Sequence, residues 1–147
     1  MTKQHLTFNN LTINQLYQIL ALRSEVFVVE QDCVYQDIDG CDQQAIHVLF
    51  NQNNTLVAYA RILPPDTYFK QLSIGRVIVN QTHRGTNLGH ELMTYALQLC
   101  HTTYPEERIK ISAQQHLTNF YKQHGFTAVG EGYLEDGIPH IAMITDA

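Results

Sequence analysis

Apolar positions recur along the chain in two rhythms, and the changes of rhythm mark its elements. HLTFN, residues 5–9, reads as a first short strand. INQLYQILALRSEVFVVEQ, residues 13–31, carries a helical period, with Leu16, Ile19, Leu20, Arg23, Phe27 and Glu30 on one side and Thr12 as its N-cap. Arg23 and Glu30 share that side, which predicts a structural ion pair. DCVYQDIDGCDQQ, residues 32–44, is polar and aperiodic, a loop long for a plain connection. AIHVLF and TLVAYARIL are β-rich runs joined by NQNN, a hairpin signal because Asn tolerates turn conformations. Pro64 and Pro65 end that run, and SIGRVIV, residues 73–79, is the next strand. Leu88, Leu92, Ala96 and Leu99 form the buried stripe of a second helix, flanked by Met93, Leu97 and Cys100. IKISA is a strand, HLTNFYKQ a short helix stopping at Gly125, and FTAVGEGYL, an EDG turn and HIAMIT a closing hairpin. Arg61 and Arg76, opposed to their apolar neighbours, read as solvating the sheet. Strands thus alternate with helices around one mixed sheet, predicting a single α/β or α+β domain over residues 1–147.

Composition narrows the function. A chain of 147 residues with 44% hydrophobic content can bury one ordinary core. Its net charge of -5 and nine Lys plus Arg argue against non-specific nucleic-acid binding. Cys33, Cys41 and Cys100 form no CxxC pair and read as reduced thiols. The eight histidines show no HxxxH or HExxH spacing, so no metal is expected. The first residues lack a signal-peptide core and no run approaches membrane-spanning length, so a soluble cytoplasmic protein is expected.

The turn HRGTNLG, residues 83–89, carries the clearest chemistry. A helix start leaves four amides unpaired and bears about half a positive charge, which favours a phosphate or pyrophosphate. Gly85 and Gly89 remove side chains there, and Arg84 adds a charged donor. The spacing is neither the P-loop nor the GxGxxG fingerprint.

It does resemble the acyl-CoA signature [Gln/Arg]-x-x-Gly-x-[Gly/Ala] of the GNAT N-acetyltransferases, here Arg84, Gly85, Thr86, Asn87, Leu88 and Gly89. GRVIV before the turn, NFYKQHGF after the next strand and the element order extend the resemblance along nearly the whole chain. VFVVEQDCVYQDID and YLEDGIPHIAM are similar to the ElaA-type branch. The resemblance implies a mixed, mostly antiparallel sheet of about seven strands flanked by helices. It implies acetyl-CoA as cosubstrate, with pantetheine along Val77, Ile78 and Val79 and the pyrophosphate at residues 84–89. It also implies a thioester oxygen held by a strand N–H such as that of Ile78, Tyr121 as the acid that protonates the leaving thiolate, and Gln114 where relatives carry a cofactor-touching asparagine. Asn87 departs from the signature's middle glycine. Asn tolerates a left-handed backbone, but its side chain stands near the pyrophosphate and predicts a weaker contact.

The remaining roles are more open. His140 and His47 are candidates for the general base, each with a structural alternative. Glu30, with the loop acids Asp37 and Asp39, is placed over the acceptor site as a base or as an attractor of a cationic amine, against the alternative of a solvated face. The expected activity is acetyl transfer to a primary amine of a small molecule or polypeptide; a CoA-binding sensor or interaction module that lost turnover is the alternative. No nucleic-acid or membrane partner is expected, and edge strands permit either a monomer or a homodimer.

Overall fold

The computed structural model describes residues 1–146. Its strands are β1 (Thr2–Thr7), β2 (Ile46–Gln52), β3 (Thr55–Leu63), β4 (Leu72–Val79), β5 (Ile109–Gln114), β6 (Thr127–Glu135) and β7 (Ile138–Ile144), with helices α1 (Ile13–Arg23), α2 (Leu88–Thr103) and α3 (Thr118–Lys122). They form one seven-stranded sheet in the order β1-β2-β3-β4-β5-β7-β6. Every neighbouring pair is antiparallel except β4 and β5, which run parallel. This is the mixed, mostly antiparallel sheet expected from the sequence. Among the described residues no helix is long and apolar enough to cross a membrane.

The helices cover opposite faces. Leu88, Leu92, Met93, Ala96 and Cys100 of α2 are buried with Val48, Phe50 and Ile62 from the sheet, and Tyr121 and Phe126 join that core. Ile19 and Leu22 of α1, with Val26, bury Leu49, Leu56, Tyr59 and Ile78 on the other face. Cys100 takes the place predicted for Leu99 in the α2 stripe, and Leu22 replaces Leu16 and Leu20 in that of α1. Thr12 caps α1 as predicted, in a reciprocal capping box with Gln15.

Three local differences from the sequence reading have physical causes. The first strand lies earlier, at Thr2–Thr7, because Phe8–Asn10 close a 3-10 turn that leads into the Thr12 cap. The first helix does not run unbroken to residue 31: from Ser24 to Glu30 it widens into a π-helix, with Gln31 N–H bonding Val26 O and Cys33 N–H bonding Val28 O, both five residues back. That widening breaks the seven-residue repeat aligning Arg23 with Glu30, and the predicted pair does not form. Arg23 turns inward, fully buried, while Glu30 reaches Arg84. Third, Arg61 and Arg76 do not solvate the sheet. Arg61 is buried, and both bond acids of the loop that follows the π-helix.

Candidate active site

The site is built where β4 and β5 part. Their parallel pairing covers only Leu72 with Ile109 and Ser73 with Lys110. Beyond it β4 carries a bulge: Tyr59 opposes Ile78 and Arg61 opposes Gly75, so Ala60 faces two residues, Arg76 and Val77. Arg76 adopts φ 49 to make it. The extra residue shifts the alternation, so Val77 and Val79 pack on the α2 face with Ile74, while Ile78 points to the α1 face. Parity also decides which amides are free. Asn80 N–H bonds Val57 O at 2.8 Å, so Ile78, two residues earlier, directs its N–H toward Tyr59 of β3. Val77 and Val79 direct theirs away from β3, along the edge that β5 has left. Val79 O faces the same way, where it accepts Arg84 Nε at 3.0 Å. The strand donor expected at Ile78 is therefore already committed to the sheet.

That edge opens into a cavity of about 340 Å³ lined by Val77, Ile78, Val79, Arg84, Gly89 and Phe120, among others. At its end lies the start of α2. Gly85 and Asn87 both have left-handed backbones, φ 77 and 68, and Thr86 Oγ1 donates to His83 O. Asn87 makes no side-chain cap bond, so the first amides of α2 keep their donors. Successive amides in such a turn form an anion-binding concavity. A Cβ on Gly89 would meet Phe120 at 3.4 Å and Val79 at 3.7 Å, ordinary packing distances, so the sheet alone does not demand glycine there. The Arg84 guanidinium grips both oxygens of Glu30, at 2.5 and 3.1 Å. Glu30 thus lies on this side of the site.

A second cavity, about 360 Å³, lies on the far side of the split. The two share Phe27, Gln31, Val77, Gln114, Leu117 and Tyr121. Tyr121, on α3, is therefore at the junction, as is Gln114 at the end of β5. Burial pushes the Tyr121 phenol up to about 12. Phe120 and Phe126 pack edge-on to its ring.

The second cavity contains His140 and Glu135, on the two strands of the closing hairpin. His140 Nδ1 lies 2.7 Å from Ile138 O, which can only accept, so Nδ1 carries the proton and a neutral ring keeps its lone pair on Nε2. Nε2 is 3.4 Å from Glu135 Oε2. Tyr68 donates to Glu135 Oε1 at 3.0 Å, and Ser112 Oγ stands 3.4 and 3.5 Å from its two oxygens. Glu135, Tyr68 and Ser112 were not singled out by sequence: EDG reads only as a turn, and Tyr68 sits in the proline-broken connection. His47 is fully buried elsewhere, donating from Nε2 to Asp42 O and accepting at Nδ1 from Tyr59 OH, a structural pairing.

The loop acids form a closed ionic network. Arg23 bonds Asp37 Oδ2 at 3.0 Å and Asp42 Oδ1 at 2.6 Å; Arg61 bonds Asp39 and Asp42; Arg76 lies 2.8 Å from Asp37 and 3.4 Å from Asp39. Asp37 is buried, and Asp39 lines the second cavity with its charge already matched. Burial alone would raise the Asp39 carboxyl; hydrogen bonding and charge from Arg61 outweigh it and hold the group well below the usual carboxylate range. The three arginines thus claim both loop acids, Asp37 and Asp39, that the sequence offered to an amine along with Glu30. Among the described residues, no cluster of three His, Cys, Asp or Glu could hold a metal ion.

Comparison with known proteins locates this arrangement. Residues 9–147 match the family model described as an acetyltransferase (GNAT) domain. The chain is 49% identical to Protein ElaA of Escherichia coli over 142 residues, covering 95% of this chain and 93% of that one. The crystal structure of Escherichia coli ElaA superposes with a TM-score of 0.94 over 99% of this chain and 100% of that one. An acyl-CoA N-acyltransferase from Pseudomonas aeruginosa superposes with a TM-score of 0.93 at 42% identity, covering 99% of each chain. An aminoglycoside 6'-N-acetyltransferase complexed with coenzyme A shares the fold alone, at 15% identity and a TM-score of 0.74, over 99% of this chain and 97% of that one.

Proposed function

The chain belongs to the GNAT acetyltransferase family, and on that premise we propose that it transfers an acetyl group from acetyl-CoA to a primary amine of a small molecule or a polypeptide. One observation carries the reading: a groove with strand-edge and helix-start amides meets a polar cavity at Tyr121. Coenzyme A fits the residues present. The outward amides of Val77 and Val79 suit a pantetheine arm, and the uncapped turn at Arg84, Gly85, Thr86, Asn87, Leu88 and Gly89 suits a pyrophosphate. Gln114 supplies an amide at the junction.

The chemistry follows from the positions. His140 Nε2 takes a proton from the entering ammonium, freeing the nitrogen lone pair. The nitrogen attacks the thioester carbonyl; the C–N bond forms and the C–S bond breaks. An outward β4 amide, Val77 or Val79 in place of the expected Ile78, stabilises the oxygen as it gains charge. Tyr121 protonates the departing sulfur, and the surplus proton on the new amide nitrogen restores the phenol. A phenol near 12 is fully protonated at neutral pH but a weaker acid than an ordinary one, so its proton moves best as the C–S bond breaks. The unpaired thiols Cys33, Cys41 and Cys100 support a reducing, cytoplasmic setting.

Calorimetric titration with acetyl-CoA, with ATP as control, tests the reading. Micromolar binding of acetyl-CoA alone is expected. Equal binding of ATP, or binding of neither, would sink it.

A further inference from the structure

Four of the acids around the site are matched by arginine: Glu30 by Arg84, Asp37 by Arg23 and Arg76, Asp39 by Arg61 and Arg76, and Asp42 by Arg23 and Arg61. Glu135 differs. It lines the second cavity, yet among the described residues its neighbours are the neutral donors Tyr68 and Ser112, and its sole ion-pair partner is His140, whose Nε2 is a lone pair when the ring is neutral. Burial first, and then Glu135 itself, push the Tyr68 phenol up to about 12, so the donor stays protonated and the carboxylate stays oriented. Asp136, next along the turn, lines the same cavity.

A half-buried carboxylate held by hydroxyls, without a lysine or arginine, is arranged to receive a cation from outside. We propose that Glu135 docks the ammonium group of the acceptor, and that the acceptor is a small aliphatic amine that carries no carboxylate. The assignment rests on the acetyltransferase reading. An ammonium held at Glu135 Oε2 lies beside His140 Nε2. One N–H bond breaks, the proton moves to Nε2, the nitrogen keeps its electron pair, and Glu135 balances the imidazolium that forms. A carboxylated acceptor would set a second negative charge against Glu135 and Asp136 in a cavity of about 360 Å³, whose own arginine, Arg76, is already matched by Asp37 and Asp39.

The test compares 1,4-diaminobutane with 4-aminobutanoate, which differ at the end remote from the reacting amine, in wild type and in Glu135→Gln and Glu135→Asp. Wild type is expected to favour the diamine about ten-fold or more in kcat/KM. Glu135→Gln should raise the diamine KM about ten-fold, the loss of one charge-assisted hydrogen bond, and erase the preference. Its acetyl-CoA affinity should stay within about two-fold, and Glu135→Asp should recover part of the loss. An unchanged diamine KM in Glu135→Gln, equal use of both amines by wild type, or acetyl-CoA binding with turnover of neither would overturn the assignment alone. A wild type that binds no acetyl-CoA would overturn the acetyltransferase reading beneath it.

Discussion

Tyr121 allows packing and chemistry to be separated by one oxygen. Its ring fills the α2-side core beside Phe120 and Phe126, and Tyr121→Phe keeps all of that contact. The variant should fold, bind acetyl-CoA as wild type does, and lose about 10²–10⁴-fold in kcat, the usual range for a positioned general acid. A kcat within three-fold of wild type would make the residue structural. Asn87 offers a second test. Its left-handed backbone matches the tolerance predicted from the sequence, and its side chain makes no cap bond, so glycine costs the helix little. Asn87→Gly should tighten acetyl-CoA about three-fold by clearing the approach to the α2 amides; calorimetry showing equal or weaker binding would refute the predicted crowding.

Elements were legible where one period dominates, and illegible where the backbone departs from its period. Both hairpin turns carry their signals: Asn53 and Asn54 take φ 52 and 62, and Asp136 and Gly137 take φ 50 and 78. The β4 bulge leaves no such mark, since Arg76 resembles any outward polar residue of an alternating strand. It nonetheless decides that Val77 and Val79, not Ile78, offer the outward amides. The π-helix is equally silent, because SEVFVVE fits an α-helical face as well. Its consequence is testable in Glu30, which the sequence placed over the acceptor but which grips Arg84 on the cofactor side. An exposed pair of this kind is worth about 0.2–1 kcal/mol. Glu30→Gln should therefore tighten acetyl-CoA by up to about five-fold, through the freed guanidinium and the lost negative charge, and leave the amine KM unchanged. A raised amine KM with constant acetyl-CoA affinity would return Glu30 to the acceptor.

Across the whole molecule, the ionic network ties the long loop to both α1 and the sheet. Residue types alone could not show it, because its partners come from four segments and acids and arginines at that spacing look like solvated faces. Removing Arg23 would leave Asp37 and Asp42 buried without their common partner, costing about 3–5 kcal/mol in Arg23→Ala. The same burial sets the pH response. His47 is neutral in the fold; burial lowers its pKa below the ordinary value, and the unfolded chain takes up a proton near 6.5. Stability therefore falls as pH drops below about 6.5. His124, lowered by burial and by His90, adds to this window. Asp39 and Asp42 act lower. Their carboxyls titrate below the unfolded value of about 3.9, so their stabilisation is complete above that pH and is lost as pH falls through and beneath it. Thermal melting at pH 7.5, 5 and 3.5 should thus show two successive declines. His47→Gln should start less stable but lose less between pH 7.5 and 5, keeping only the His124 share, while Asp39→Asn should lessen the decline below pH 4, keeping the Asp42 share, and leave the upper one intact. Wild-type slopes in both variants would mean that neither His47 nor Asp39 carries the pH dependence.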